Sequence, residues 1–402
     1  MLKIGIIKPD YKIRGGYEIV VEHLIEKLNR QGFRTELVSV DATRQTLDHI
    51  PYPVPREEYS ANPEFFRYID SYWKYLTMDL KDFDLVISTQ PPSFAVDHEK
   101  HISLFYHHMK VYYDLSELIQ EVGLDRPCHE KASQIVREID TLSLSKVSKI
   151  LAGSQIVKER ITRYNQITDR VDVIYAGISE DFYSYEGAID YQFPIVVGRH
   201  EFPKRPELFV AAMKKVPGLK GKVIGEGGRT NDLKKIDRIL TYAARENINI
   251  PDDVVWKRMS NGFFDEHHEL MWKKSKKREL QSNVIFTGRV RKSQLIEEYA
   301  NALCVVCPAF EEDYGLTAIE AMAFKKPVIA CRDGGGYTEL IKHGVNGFIV
   351  EPTSDAISEA IRILAESPEL AAEMGRNGYE FSRTFTWKNT TTKIVEEIEK
   401  II

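Results

Sequence analysis

The sequence predicts an α/β protein built on parallel strands, and three observations carry that expectation. Leu2 to Lys8 is a nearly continuous apolar run; after the loop P-D-Y-K-I-R-G-G comes a helix with Val20, Val21, Leu24 and Leu28 on one face, then a strand over Thr35 to Val40. Strands that are apolar on both faces belong to parallel sheets covered by helices, so this is a βαβ unit. The run Ala302 to Cys307 repeats the pattern, leaving through a loop into a helix-forming stretch, Thr317 to Lys325. Finally, 402 residues are enough for two domains, each with its own core.

The bulk numbers narrow the function class. An apolar fraction of 43% and a charged fraction of 29% are ordinary for a globular chain, and a net charge of -5 suggests no nucleic-acid partner. The start M-L-K-I-G-I-I-K lacks a signal-peptide layout and no run is long enough for a membrane span, so the expected location is the cytoplasm. Four cysteines do not make a disulfide framework. Cys304 and Cys307 form a C-x-x-C inside L-C-V-V-C, and with no second pair they read as small core side chains rather than a redox or zinc site.

In the first half, Gly15-Gly16 closes the βα turn, where backbone is able to approach a phosphate. From Tyr52 to Phe83 the chain is aromatic-rich (Tyr59, Phe65, Phe66, Tyr68, Tyr72, Trp73, Tyr75); a ring face packed on the core is favoured over an acceptor-binding lobe. Asp82-Phe83-Asp84 has a D-x-D form but precedes the strand Leu85 to Ser88, the wrong end for a metal site. Ile102 to Tyr106 is a strand running into His107-His108, and an imidazole at a strand's carboxyl end is able to face a crevice. A helix over Ser133 to Val147 and a strand over Lys149 to Ser154 follow.

In the second half, a strand over Pro194 to Val197 leads into G-R-H-E-F-P-K-R-P and a helix from about Pro206, so Arg199 and Lys204 project from the strand's carboxyl end. K-V-I-G-E-G-G, Lys222 to Gly228, is a strand and glycine turn. The basic run W-K-K-S-K-K-R, Trp272 to Arg278, reads either as a peripheral contact with an anionic membrane or polyanion or as a solvated loop; Glu266, Glu269 and Glu279 nearby favour the loop. His267-His268 lacks a second ligand pair at zinc spacing.

The central stretch is P-A-F-E-E-D-Y-G-L-T-A-I-E-A-M-A, Pro308 to Ala323. Gly315 permits a tight turn that leaves the Leu316 and Thr317 amides unpaired at a helix start, an anion site. Glu312 and Glu320 flank it, so the site needs cations from elsewhere, or carboxylates that grip hydroxyls beside the anion. Arg199 and Lys204 are those cations. A sugar nucleotide offers both a diphosphate and hydroxyls.

The pattern P-x-x-x-E-x-x-G-L-x-x-x-E-A-M-A, with P-V-I-A-C-R-D-G-G-G-Y-T-E-L-I-K-H-G-V-N-G-F-I-V downstream, resembles the signature of the retaining glycosyltransferases of family 4. The resemblance spans nearly the whole chain and is tighter in the second half. It implies a GT-B fold, two doubly wound Rossmann-like domains facing across a cleft. Residues 1–176, with a last helix over 386–402 crossing back, would bind the acceptor; residues 177–385 would bind the nucleotide sugar.

The implied reaction moves a sugar from a nucleoside diphosphate donor to a hydroxyl of a sugar, lipid-linked or small-molecule acceptor, with retention and without metal or other cofactor. By the same resemblance, Gly15, Gly16, Arg199, Lys204, Gly315, Leu316 and Thr317 would hold the diphosphate and Glu320 the ribose. Glu312 and His108 would take hexose hydroxyls. The usual proline after the histidine is replaced by Lys110, so the choice between His107 and His108 stays open. A nucleotide-sugar epimerase of the same fold and a non-catalytic nucleotide-sugar-binding subunit are the alternatives. Donor identity, the acceptor and oligomeric state are left open.

Overall fold

Parallel pairing dominates the computed structural model, which describes residues 2–12, 16–43, 47–51 and 53–402. Two compact units divide the chain, one made of Met1–Gly177 and Phe385–Ile402, the other of Ile178–Thr384.

In the first unit the strands are β1 (Lys3–Asp10), β2 (Arg34–Asp41), β3 (Leu85–Ser88), β4 (His101–Phe105), β5 (Lys149–Ala152) and β6 (Val171–Val173), in the order β2-β1-β3-β4-β5-β6. Every pairing is parallel. The continuous apolar runs explain this: Ile4, Ile6, Ile7, Val86 and Ile102 lie at 0% exposure, with helices covering both faces. Strand order reverses between β1 and β3, so the crevice of this sheet opens beyond their carboxyl ends.

The helix Pro63–Leu76 turns Tyr68, Tyr72 and Tyr75 into the core, while Phe65, Phe66 and Trp73 stay partly exposed. Asp84 caps the other end of the sheet, its carboxylate accepting the Lys3 amide at 2.7 Å. The final helix, Trp387–Ile401, belongs to this unit: the Trp387 ring stacks on His23 at 5.0 Å, and Thr390 Oγ1 donates to the Tyr175 carbonyl at 2.8 Å. Gly177 has no room for a Cβ, which would lie 2.3 Å from the Trp387 amide nitrogen.

The second unit contains β7 (Phe193–Val197), β8 (Gly221–Ile224), β9 (Val284–Gly288), β10 (Ala302–Cys307), β11 (Val328–Cys331) and β12 (Gly347–Val350), ordered β12-β11-β10-β7-β8-β9 and again parallel. Here the order reverses between β10 and β7, so the loops leaving these two strands face each other at the switch point. Cys304 and Cys307 are buried on β10, where burial raises both thiols well above their usual range.

The long stretch between β8 and β9 folds into helices, and the basic run Trp272 to Arg278, expected as a solvated loop, lies mostly in one of them. A helix over Thr230–Arg245 packs against another over Glu266–Lys276, with a π-helical turn, Val254–Arg258, and a 3-10 turn, Met259–Asn261, between them. Asp265 caps the second helix by accepting the His268 amide at 2.9 Å. Its acidic residues sit in the first turn and Lys273, Lys274 and Lys276 in the last, matching the helix dipole. No helix among the described residues is long and apolar enough to cross a membrane.

Candidate active site

The second unit's switch point gathers most of the residues singled out from sequence. The loop after β7 carries Arg199 and Lys204, and the loop after β10 carries Glu312. The Lys204 ammonium is ion-paired with Glu312 Oε2. Arg199 and Lys204 line one pocket together with His200, Cys307, Pro308, Ala309 and Tyr337. Arg199 is exposed there, and among the described residues its guanidinium has no ion-pair partner. The cations thus lie on the same side of the unit as Glu312.

Backbone geometry fixes these loops. Gly315, at φ +98, precedes the helix Leu316–Ala323, and a Cβ there would lie 2.7 Å from the Tyr337 ring. The first amides of that helix, from Leu316 and Thr317, have no acceptor within it. The three glycines after β11 press against the Glu312 loop: a Cβ on Gly335 would sit 2.3 Å from the Glu312 carbonyl oxygen. Gly336 donates its amide to that same oxygen at 2.7 Å, and Glu311 donates its amide to the Asp333 carbonyl at 2.9 Å.

Sequence reasoning missed Arg205, the neighbour of Lys204. It is 0% exposed and donates to the Pro308 carbonyl at 2.7 Å and to both Asp333 oxygens at 2.8 and 2.5 Å. Its guanidinium also lies 4.9 Å from the Trp256 ring centroid and 5.5 Å from that of Phe310. One side chain therefore ties the loops after β7, β10 and β11 together. An arginine followed by proline at a helix start gives no local sign of this, since its carboxylate partner is 128 residues away.

Glu320 is partly exposed at the start of the helix Leu316–Ala323. It lies one turn inside the helix, and its Oε2 accepts a hydrogen bond from the buried Tyr299 hydroxyl at 2.8 Å. Burial pushes the carboxyl up to about 7, against the lowering effects of that bond and of Lys292. It does not line the pocket holding Arg199 and Lys204.

In the first unit, His108 is 2% exposed. Its Nε2 meets Asn165 Oδ1 at 2.8 Å, and its ring lies 4.1 Å from Tyr113 and 4.8 Å from Phe105. The expected hydroxyl-binding histidine is thus an interior group, because the helix Gln155–Asn165 covers it. His107 is the half-buried member of the pair, its Nδ1 2.9 Å from the His108 carbonyl oxygen. Behind them, Asp140 accepts from Tyr68 and Tyr113 at 2.7 and 2.8 Å while burial pushes its carboxyl up to about 7. Gly15 lies outside the described residues, and Gly16 begins the helix Gly16–Arg30.

Two doubly wound parallel units, one with paired cationic and carboxylate groups at its switch point, define the chain as a GT-B protein. Glycosyltransferase Family 4 matches residues 14–182 and Glycosyl transferases group 1 matches residues 265–381; the chain belongs to this glycosyltransferase family. Arg199, Lys204 and Arg205 fall between the two matched spans.

An uncharacterized glycosyltransferase of Methanocaldococcus jannaschii is 28% identical over 254 residues, 62% of this chain and 60% of that protein. Among solved structures, sucrose-phosphate synthase from Thermosynechococcus elongatus superposes with a TM-score of 0.70 at 18% identity, covering 100% of this chain and 99% of that one. Anabaena HepE in complex with UDP-glucose superposes with a TM-score of 0.63 at 17% identity, covering 98% of this chain and 99% of that one. At these identities the superpositions establish the fold.

Proposed function

We propose that this protein transfers a sugar from a nucleoside diphosphate donor to an acceptor hydroxyl, with retention at the anomeric carbon. The observation that carries this reading is the meeting of Arg199, Lys204 and Glu312 at the β7–β10 switch point. Two cations there suit a diphosphate, and the adjoining helix start supplies unpaired amides for the same anion. The UDP-glucose held by the structurally similar HepE fits this donor class.

In this reading Arg199 and Lys204 stabilise the charge that grows on the diphosphate as the sugar leaves, the part of the reaction where fixed charges accelerate most. Glu312, ion-paired with Lys204, accepts hydrogen bonds from hexose hydroxyls. Because one of its oxygens is already engaged by an ammonium, attack on the sugar by a donor-activated acceptor on the departing face is favoured over a covalent glycosyl adduct on Glu312. The first unit, with its own β1–β3 switch point and half-buried His107, recognises the acceptor. The protein works in the cytoplasm.

The test is to incubate the protein with UDP-, GDP- and ADP-sugars, with and without a pool of sugar and lipid-linked acceptors, and to follow diphosphate release and the anomeric configuration of the product. Acceptor-dependent release that persists in chelator, with retained configuration, is expected. Isomerised donor formed without acceptor would instead establish an epimerase, and binding without turnover a non-catalytic subunit.

A further inference from the structure

His200 follows Arg199 directly and belongs to none of the roles given above. It is 2% exposed, it lines the pocket shared by Arg199 and Lys204, and among the described residues its Nε2 is buried without a hydrogen-bond partner. A buried, unsatisfied polar atom in a well-packed site calls for an absent partner.

The other ring nitrogen indicates what that partner is. Nδ1 lies 2.9 Å from Thr230 Oγ1. That hydroxyl accepts the Gly227 amide at 2.9 Å and has two places for its own proton, His200 Nδ1 and the Gly227 carbonyl, also at 2.9 Å. The Gly227 carbonyl already takes the Thr230 amide at 3.2 Å, whereas Nδ1 has no other donor. When that hydroxyl turns its proton to Nδ1, the ring's hydrogen sits on Nε2, a donor without a partner in a residue that lines the pocket. Burial lowers the imidazole's basicity, which keeps the ring neutral.

The glycine turn after β8 serves this arrangement. A Cβ on Gly227 would lie 2.6 Å from the His200 carbonyl oxygen, and Arg229 donates its amide to that oxygen at 3.1 Å. Only glycine allows the turn to press on the His200 backbone and bring Thr230 within reach of the ring.

We propose that His200 Nε2–H is a third donor to the diphosphate of the sugar nucleotide, alongside Arg199 and Lys204. This assignment rests on the donor-site reading above. A neutral N–H held by packing adds direction to two cations without adding charge.

Two substitutions test it, with UDP, GDP and ADP as probes in titration calorimetry. His200→Asn keeps a group at the Nδ1 position and removes Nε2; His200→Gln places an amide N–H where Nε2 stood. For whichever diphosphate the wild type binds, His200→Asn should weaken affinity roughly 10- to 100-fold, and His200→Gln should recover most of that loss. Wild-type affinity in His200→Asn overturns the assignment while leaving the donor site intact. Equal losses in both variants, with equally lowered melting points, also overturn it and make the residue a structural pin. If His200→Asn does not fold, ¹⁵N spectra of the wild-type imidazole decide: Nε2 must be protonated in the free protein and its signal must move on adding the diphosphate, and a bare or unmoved Nε2 overturns the assignment. Failure of all three diphosphates to bind wild type overturns the donor-site reading, and this assignment with it.

Discussion

Arg205 is sealed inside the second unit and grips Asp333 with both arms of its guanidinium, at 2.8 and 2.5 Å. Asp333 is itself partly exposed on the loop after β11. The pair therefore couples a buried cation to the glycine loop that shapes the position of Glu312. Removing one partner of a buried, hydrogen-bonded pair leaves an uncompensated charge, which costs far more than the pair contributes. Asp333→Ala should lower stability by about 3 kcal/mol or more, read by urea unfolding. Arg205→Lys should be nearly as damaging, because lysine lacks the fork and the flat face that meets Trp256. Near-wild-type unfolding midpoints in both would show that the clamp does not hold the loops.

Gly335 makes a sharper test of the Glu312 loop. Its φ of +57 already disfavours other residues, and an added methyl would meet the Glu312 carbonyl oxygen at 2.3 Å. The Gly335→Ala loop must move, carrying the Glu312 carboxylate with it. We expect a loss of about 1–3 kcal/mol in stability. Turnover should fall at least 10-fold even at temperatures where the variant is fully folded, since small displacements at a reacting centre are costly.

How much of this could be read from the chain depends on how far the determining contacts reach. The parallel sheets follow from strands such as Ile4 to Ile7 and Val305 to Val306, apolar on both faces, and the β10–helix turn follows from Gly315 before L-T-A-I-E. Those are local signals. Arg205 was invisible because its partner is 128 residues away. His108 was misplaced because facing a crevice or the interior depends on Asn165, 57 residues on, and on the helix that ends there. The run Trp272 to Arg278 was taken for a charged loop because its lysines dominate the composition, although the Asp265 cap and the acidic first turn of its helix were present to be read. The glycines of G-E-G-G and D-G-G-G were noted as patterns; their reason, backbone pressed on backbone, needs coordinates.

Lys204 and Glu312 are partly exposed, at 30% and 17% for their side chains, so their pairing contributes little to stability. Lys204→Ala should therefore change the unfolding free energy by under about 1 kcal/mol. Its effect belongs to the reaction: turnover should fall by roughly two orders of magnitude or more as one charge-directed contact to the leaving group is lost. Glu312→Gln keeps the shape and removes the charge, and should also reduce turnover without unfolding the protein. An active Lys204→Ala enzyme would remove the ground for placing the diphosphate here.

Glu320 gives a pH signature. Its carboxyl is raised from 4.5 to about 7 by burial in the folded protein. Between those pH values the folded state keeps a proton that the unfolded chain has released, so this group's contribution makes stability fall as pH rises through the window and level off above it. The full effect is on the order of 1–3 kcal/mol. Asp140 and Glu207 are raised in the same direction, so the reading must be a difference between variants. Wild type minus Glu320→Gln, followed by chemical unfolding from pH 4.5 to 8, should slope downward to about pH 7. Tyr299→Phe, by deleting the hydrogen bond that favours the carboxylate, should carry the slope to higher pH. A flat difference would mean that Glu320 titrates as an ordinary surface carboxyl.

Trp256 stands between the helices that follow β8 and the loops of the site. Its ring is 8% exposed, stacks on Phe202 at 5.9 Å and lies 6.2 Å from Phe310, with the Arg205 guanidinium over it. Phe202 precedes Lys204 on the β7 loop and Phe310 precedes Glu312 on the β10 loop, so one indole braces both sides of the switch point. Trp256→Ala should cost about 3–5 kcal/mol through lost contact and the cavity left behind. It should also lower turnover at temperatures where the protein is still folded. Trp272, on the helix Glu266–Lys276, has Lys235 and Lys276 over its ring. Trp272→Ala should cost about 1 kcal/mol or less and leave turnover unchanged. Because Trp256 and Arg205 touch, the double variant Trp256→Ala, Arg205→Lys should lose less than the two single losses combined, by about 0.5–3 kcal/mol. Strict additivity would show that the ring and the guanidinium act independently, and that the stretch between β8 and β9 does not brace the site through this contact.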